Sequence, residues 1–116
     1  MALAKGTRDY ATVQAWLQGL HGQWGQEPQD MESRLEVLER FCRFVGKTPD
    51  EVIAECTREV ESGKRIRIKA RRFYSEKIAE FQASVGGDSR TQAQWGNSVR
   101  SFLIHNGIFL QSGIQA

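Results

Sequence analysis

The residues whose types and spacing most clearly indicate a chemical role are the lysines and arginines of one central segment. Between Lys64 and Lys77 the chain carries seven lysines or arginines and a single acidic residue, Glu76, which gives a local charge of +6. The first 63 residues carry a net charge of −4, so the overall charge of +2 hides a strong asymmetry. Clustered cations bind polyanions, and each phosphate contact adds to an affinity that falls with salt. The segment therefore predicts a polyanion-binding surface. The alternative is an ordinary solvated helix face, or one neutralised by the acidic first half.

The same segment has the spacing of an amphipathic helix. Apolar residues recur at steps of three or four from Ala70 through Tyr74, Ile78 and Phe81 to Val85. We predict that a basic helix follows Gly63 and ends at Gly86-Gly87, with one apolar face and one cationic face. The residues expected to contact phosphates on this helix are Lys64, Arg65, Arg67, Lys69, Arg72 and Lys77, with help from Arg43, Lys47 and Arg90.

A second set of polar residues follows in the last predicted helix. Its apolar stripe includes Trp95 and Val99, and the opposite face carries residues whose side chains can bond to base edges in a DNA groove. Arginine pairs with guanine, and asparagine or glutamine with adenine. The candidates for DNA contact in this helix are Thr91, Gln94, Asn97, Ser98 and Arg100.

Residue patterns typical of catalysis are absent from the sequence. His21 and His105 are the only histidines, and neither belongs to a metal-binding pair. Cys42 and Cys56 lack zinc-site spacing and are expected to be buried free thiols. The glycines form no phosphate-binding loop. We expect no metal, no cofactor and no enzymatic activity in this chain by itself.

The rest of the chain predicts an all-α fold, a compact bundle of about five short helices without a strand. A first helix has its apolar stripe from Tyr10 to Leu20, and Asp30 is expected to cap a second helix that runs to about Val45. The clearest start signal is Thr48-Pro49-Asp50-Glu51, which has the residues of a capping box and predicts a third helix ending near Ser62-Gly63. The fifth helix is expected to have Ser89 or Thr91 as its cap and to end at Gly107.

A chain of 116 residues predicts one domain. We expect a flexible N-terminus over residues 1–9, the helical domain over 10–110, and the start of a linker over 111–116. Trp24 is expected to dock on the core from the connection after the first helix. The chain has no secretory signal and no apolar run of membrane-spanning length, which favours a soluble protein in the cytoplasm with no membrane partner.

Three stretches in order resemble the N-terminal core-binding domain, a SAM-like domain, of tyrosine recombinases of the phage-integrase family. The first is Leu35 to Glu51, with Leu38, Phe41 and Phe44 before Pro49-Asp50-Glu51. The second runs from Thr91 through Val99-Arg100-Ser101-Phe102 to Asn106-Gly107, and the third, looser one is Trp16-Leu17. The resemblance covers roughly 10–110. Asp30 stands where the family usually has threonine, and Gln92 and Gly96 stand where it often has apolar residues.

The resemblance implies a helical domain that clamps one side of double-stranded DNA at a recombination core site. In that family a separate C-terminal domain, with a tyrosine nucleophile, cleaves and exchanges the strands. Tyr10 and Tyr74 are therefore expected to be packing residues. The implied partners are double-stranded DNA, a C-terminal catalytic domain and other recombinase protomers on the DNA, in a prokaryotic cytoplasm at the nucleoid.

Two other functions remain as alternatives. A helical protein–protein interaction domain could present the basic helix to an acidic partner, and Ile108-Phe109-Leu110 is an apolar segment that could serve such docking. A self-contained enzyme is disfavoured because the chain offers no catalytic motif.

Overall fold

Five α-helices pack around one apolar core in the part of the chain that the computed structural model describes, residues 6–60 and 63–108. For residues 58–60 and 63–66 only the backbone is described. The elements in order are α1 (Ala11–Trp24), α2 (Met31–Val45), α3 (Pro49–Cys56), β1 (Thr57–Val60), β2 (Gly63–Ile66), α4 (Ile68–Val85) and α5 (Ser89–His105), after a 3-10 turn at Thr7–Asp9. The prediction of an all-α bundle is confirmed.

The core is built from the apolar stripes of the helices. Trp16 of α1 packs edge-on against Phe102 of α5, with 5.6 Å between ring centroids, and its indole Nε1 donates a hydrogen bond to Ser101 Oγ at 3.0 Å. Phe41 of α2 contacts two rings of α4, Tyr74 at 6.4 Å and Phe81 at 5.3 Å. All five of these aromatic residues are at most 3% exposed, so α1, α2, α4 and α5 share one interior.

A β-hairpin between α3 and α4 is the main departure from the expected architecture. We predicted a third helix to Ser62-Gly63 and a basic helix directly afterwards, but α3 ends at Cys56 and α4 begins at Ile68. The strands β1 and β2 pair antiparallel, with Thr57 opposite Ile66 and Val60 opposite Gly63. β-branched residues favour this extended backbone. The apolar repeat of the basic segment starts only at Ala70, so no periodicity supported a helix before it.

The helix starts confirm one predicted cap and correct two. The capping box at Thr48 is present: Glu51 N donates to Thr48 Oγ1 at 3.1 Å, and Thr48 N donates to Glu51 Oε1 at 2.8 Å. Asp30 precedes α2 but makes no capping bond, because its carboxylate accepts from Arg34 Nε at 2.9 Å instead. The cap of α5 is Asp88, whose carboxylate accepts from the Thr91 amide at 2.8 Å, rather than Ser89 or Thr91.

The burial of the cysteines and tyrosines agrees with the sequence, whereas the position of Trp24 does not. Cys42 and Cys56 are buried free thiols, and Tyr10 and Tyr74 are buried packing residues, as predicted. Trp24 does not dock on the core, since it is 62% exposed. Ile108 is fully buried, while Phe109 and Leu110, like residues 1–5 and 111–116, lie outside the described residues.

Candidate nucleic-acid interface

The basic segment is carried mainly on α4, whose buried side decides which charges face solvent. Tyr74, Ile78 and Phe81 point into the core. At 100° per residue, Lys69 and Arg72 fall on the opposite side of the helix. Both side chains are exposed, and neither forms an ion pair with any residue whose side chain is described. No described carboxylate therefore competes with an external anion for these two cations.

Three other predicted phosphate contacts are held in ion pairs within the protein. Lys77 Nζ lies 3.2 Å from Glu80 Oε1 on α4, Arg43 pairs with Glu39 on α2, and Lys47 Nζ lies 2.9 Å from Glu55 Oε2. The side chains of these pairs are partly exposed, so screening by solvent limits what each ion pair contributes to stability. A phosphate that bound these cations would have to compete with a carboxylate already in place.

Glu55 connects the start of α4 to α3 and to the loop after α2. Its Oε1 accepts a hydrogen bond from Tyr74 Oη at 2.7 Å while its Oε2 contacts Lys47. Burial by itself would raise the pKa of Glu55, but the bonds from Lys47 and Tyr74, with the nearby charge of Arg67, outweigh burial and lower it. Burial and the bond to Glu55 raise the pKa of Tyr74. These bonds hold Tyr74 in place on the buried side of α4, opposite the exposed Lys69 and Arg72.

The junction between the hairpin and α4 fixes where the cationic surface begins. Arg67 is the N-cap of α4, and its backbone amide donates to the Cys56 carbonyl at 2.7 Å, which closes the base of the hairpin. The Arg67 side chain is exposed and close enough to Glu55 to influence its pKa. Lys64 and Arg65 lie in β2, opposite Glu59 and Arg58 in the strand register, and their side chains lie outside the described part of the structure.

The polar residues of α5 meet α2 at an open groove of about 540 Å³. Gln94 and Asn97 are exposed there, and the Ser98 hydroxyl donates to the Gln94 carbonyl at 3.1 Å. Three of the residues predicted to read base edges are thus brought together. The groove is lined by Asp30, Ser33, Arg34, Val37, Gln94, Trp95, Asn97 and Ser98.

The α2 side of this groove contains no residue that was predicted from the sequence to contact DNA. Arg34 and Ser33 supply hydrogen-bonding groups to it, and Asp30 balances the charge of Arg34 through their 2.9 Å ion pair. The groove therefore offers hydrogen bonds more than net charge. The available signal was the polar spacing of Asp30, Ser33 and Arg34 on the first turn of α2, but nothing in the sequence places that turn beside Gln94.

Arg100 occupies a different position from the other candidates on α5. Its Nη2 donates to Gln82 Oε1 of α4 at 2.7 Å, and its Nη1 donates to Asn97 Oδ1 at 3.3 Å. Burial lowers the pKa of Arg100, which nevertheless remains a cation at neutral pH. The guanidinium joins α4 to α5, so a contact to a base would require it to leave Gln82.

The remaining two candidates lie in the first turn of α5. Arg90 is exposed and has no ion-pair partner among the described side chains. Thr91 donates its backbone amide to Asp88, whose pKa is lowered by this bond. Asp88 therefore places a negative charge beside Arg90 and Thr91, which weakens that turn as a phosphate site.

The two candidate surfaces lie at different places on the bundle. Gln82, near the end of α4, is where that helix contacts α5, through Arg100 and through the Gln92 carbonyl at 2.9 Å. Lys69 lies thirteen residues earlier on α4, a rise of roughly 20 Å along the helix. The cationic face and the groove are therefore two separate surfaces rather than one continuous site.

Within residues 6–60 and 63–108, no group of three or more histidine, cysteine or acidic side chains is arranged to hold a metal ion. None of the helices described is both long and apolar enough to cross a membrane. Comparison of the chain with protein-family models, curated proteins and solved structures finds no match.

Proposed function

We propose that this chain is a DNA-binding domain of the core-binding type found in tyrosine recombinases, which clamps a duplex while a separate catalytic domain cleaves the strands. The observation that carries the proposal is the exposure of Lys69 and Arg72 without a carboxylate partner among the described side chains. Six other cations in this part of the protein are ion-paired. Unpaired cations on a fixed helix face are the simplest phosphate contacts.

The groove supports the same proposal in a different way. Gln94, Asn97 and Ser98 present amide and hydroxyl groups there, which are suited to base edges, whereas Lys69 and Arg72 are suited to the backbone. One turn of B-DNA is about 34 Å long, which exceeds the rise of roughly 20 Å between Lys69 and the level of α4 that contacts α5. In this proposal the cations position the duplex through its phosphates, and the groove residues contact the edges of its bases.

The experiment is a salt series of duplex binding, measured by fluorescence anisotropy. Lys69→Gln and Arg72→Gln should each weaken binding to all sequences and reduce the slope of log K against log salt by about one unit. Arg8→Gln is the matched control, because it removes the same charge from an arginine that is bonded to Glu27 and Glu32. If all three variants keep the wild-type salt slope, α4 is not the phosphate-binding face.

A helical protein-interaction domain is the second candidate, and the exposed Trp24 is the observation that favours it. Of the expected docking segment Ile108-Phe109-Leu110, Ile108 is buried and gives this candidate no support, and the other two residues lie outside the described part of the chain. Charge reversal by Lys69→Glu and Arg72→Glu distinguishes the two functions on an immobilised-DNA column. If the chain binds DNA, the wild type should be retained and the variants should not. If it docks on a protein, the wild type and the variants should both be weakly retained.

A further inference from the structure

The solvent side of the first two turns of α4 carries large apolar side chains beside its cations. Ile68 is 63% exposed and Phe73 is 45% exposed. At 100° per residue, the order around the exposed side of the helix is Ile68, Arg72, Lys69 and Phe73. An apolar side chain thus flanks Arg72 and Lys69, which have no ion-pair partner among the described side chains, on each side. The cationic face alone accounts for phosphate binding but not for an exposed phenyl ring at its edge.

The Phe73 ring is held in place from below. It packs edge-on against Tyr74, with 5.1 Å between centroids and an interplanar angle of 86°. Tyr74 is fully buried and its hydroxyl is bonded to Glu55 at 2.7 Å, so the supporting ring is fixed. The Lys77 ammonium lies 5.4 Å from the Phe73 ring centroid and adds a cation–π contact. The exposed part of Phe73 is a positioned aromatic surface with Lys69 on one side and Lys77, which is paired with Glu80, on the other.

We propose that Phe73 stacks on an unpaired base of a nucleic-acid strand whose phosphates contact Lys69 and Arg72. Aromatic side chains beside cations are how proteins bind unstacked bases, because every base presents a π-face and every nucleotide a phosphate. Glu76 lies on the same exposed side as Arg72 and Lys69, one turn further along the helix, so the two cations suit separate phosphates along a strand better than a uniformly anionic membrane surface. Nucleic acid is the occupant that uses both the ring and the cations.

This inference rests on the proposed function and extends it to the class of DNA bound. The base faces of an intact duplex are covered by their neighbours, so Phe73 can stack only where a base has left the helix. Phe73 is therefore expected to add affinity for a duplex that contains an unpaired base, or for a single strand, while a fully paired duplex is bound without it. Phosphate contacts by Lys69 and Arg72 act on all three.

The experiment compares three fluorescent probes of equal strand length: a paired duplex, the same duplex with one unpaired base, and a single strand. Phe73→Leu removes the ring but keeps an apolar side chain. Phe44→Leu is the matched control, because Phe44 is 42% exposed and packs on Phe81, roughly 12 Å further along α4 than Phe73. Circular dichroism melting of both variants confirms that they are folded.

The expected result is a loss of about tenfold for Phe73→Leu on the unpaired-base and single-strand probes, and of less than about twofold on the paired duplex. Phe44→Leu should change all three affinities by less than about twofold. Phe73→Leu should leave the salt slope unchanged because no charge is removed. Phe73→Trp, which keeps an aromatic face, should retain binding.

The results that would contradict stacking by Phe73 differ from those that would contradict DNA binding. If wild-type protein binds the duplex with a salt slope that Lys69→Gln reduces, but Phe73→Leu has no effect or the same effect on all probes, only the stacking role is wrong. If wild-type protein binds none of the probes, both proposals are wrong. Equal loss by Phe73→Leu on anionic vesicles or on polyglutamate would assign the surface to lipid or to an acidic protein instead.

Discussion

The carboxylate of Asp50, in the first turn of α3, caps the beginning of α1 by accepting hydrogen bonds from the Thr12 amide at 3.0 Å and the Thr12 hydroxyl at 2.5 Å. Tyr10, the N-cap residue of α1, makes no side-chain capping bond of its own. The Asn106 side chain donates to the Thr12 carbonyl at 3.0 Å. The start of α1 is therefore joined both to α3 and to the end of α5.

Asp50→Ala should lower the free energy of unfolding by about 1–2 kcal/mol, because the amide and hydroxyl of Thr12 lose their acceptor. Urea denaturation followed by circular dichroism measures this change. Asp30→Ala is the control, since its carboxylate only pairs with Arg34 at an exposed position and makes no capping bond. A similar loss in both variants would contradict the capping role of Asp50.

Gly96 in α5 leaves space for the side-chain amide of Gln82, which donates to the Gln92 carbonyl and accepts from Arg100. A Cβ atom added at Gly96 would overlap that amide. Gly96→Ala should therefore destabilise the protein by about 1–2 kcal/mol, even though alanine favours a helix over glycine by about 1 kcal/mol.

A double-mutant cycle with Gln82→Ala tests this explanation. Once the Gln82 amide is removed, Gly96→Ala should cost much less or become stabilising, because the other close atom, Arg100 Nη1 at 2.8 Å, belongs to a guanidinium that is then no longer held by Gln82 and can move away. Chemical denaturation of the two single variants and the double variant measures the coupling. Additive losses would show that Gly96 is required for another reason.

Glu55 should make stability sensitive to acid. Its pKa is lowered in the folded protein, so its contribution is fully present above the unfolded pKa, about 4.3 for glutamate, and is lost as the pH falls through the lower folded pKa. Glu55→Gln should reduce stability at neutral pH and reduce the loss of stability on acidification below about pH 4.5. Urea denaturation across this pH range checks it, with the exposed Glu76→Gln as control. An acid loss in Glu55→Gln as steep as in wild type would contradict the prediction.

The two cysteines should be unreactive in the folded protein. Burial, with smaller effects of nearby carboxylates, raises the pKa of Cys42 to about 12 and that of Cys56 to about 11. Little thiolate is then present at about pH 8, and the thiolate is the reactive form. A colorimetric thiol assay should show slow reaction in buffer and rapid reaction of both thiols in denaturant. Reaction at the rate of a free thiol in buffer would contradict the buried positions.

The helices could be predicted from the sequence where apolar periodicity and capping residues agreed. Thr48 and Glu51 fixed the start of α3, and the spacing from Tyr74 to Phe81 identified the core face of α4. Thr57–Val60 was assigned to a helix because Val60 comes four residues after Cys56 and continues the apolar spacing of α3. The pairing of Thr57 with Ile66 depends on contacts across the hairpin, which local propensity does not specify.

The sequence could predict which residues of the candidate site are exposed on a helix, but not which residues of different helices lie together. Lys69 and Arg72 followed from the apolar period, since a face opposite Tyr74 and Ile78 must be exposed. The role of Arg100 could not be predicted, because its bond to Gln82 depends on how α4 crosses α5. Arg34 and Gln94 line the same groove, and this position depends in the same way on how α2 packs against α5.

The most direct measurement of the proposed DNA binding is a two-dimensional amide NMR titration of the protein with a short duplex, at low and then at higher salt. The proposal predicts shifts that cluster at Lys69–Arg72 and at Gln94–Ser98 and that fade as salt is added. Shifts that are absent, or that fall on the acidic surface of α2 around Glu36 and Glu39, would contradict it.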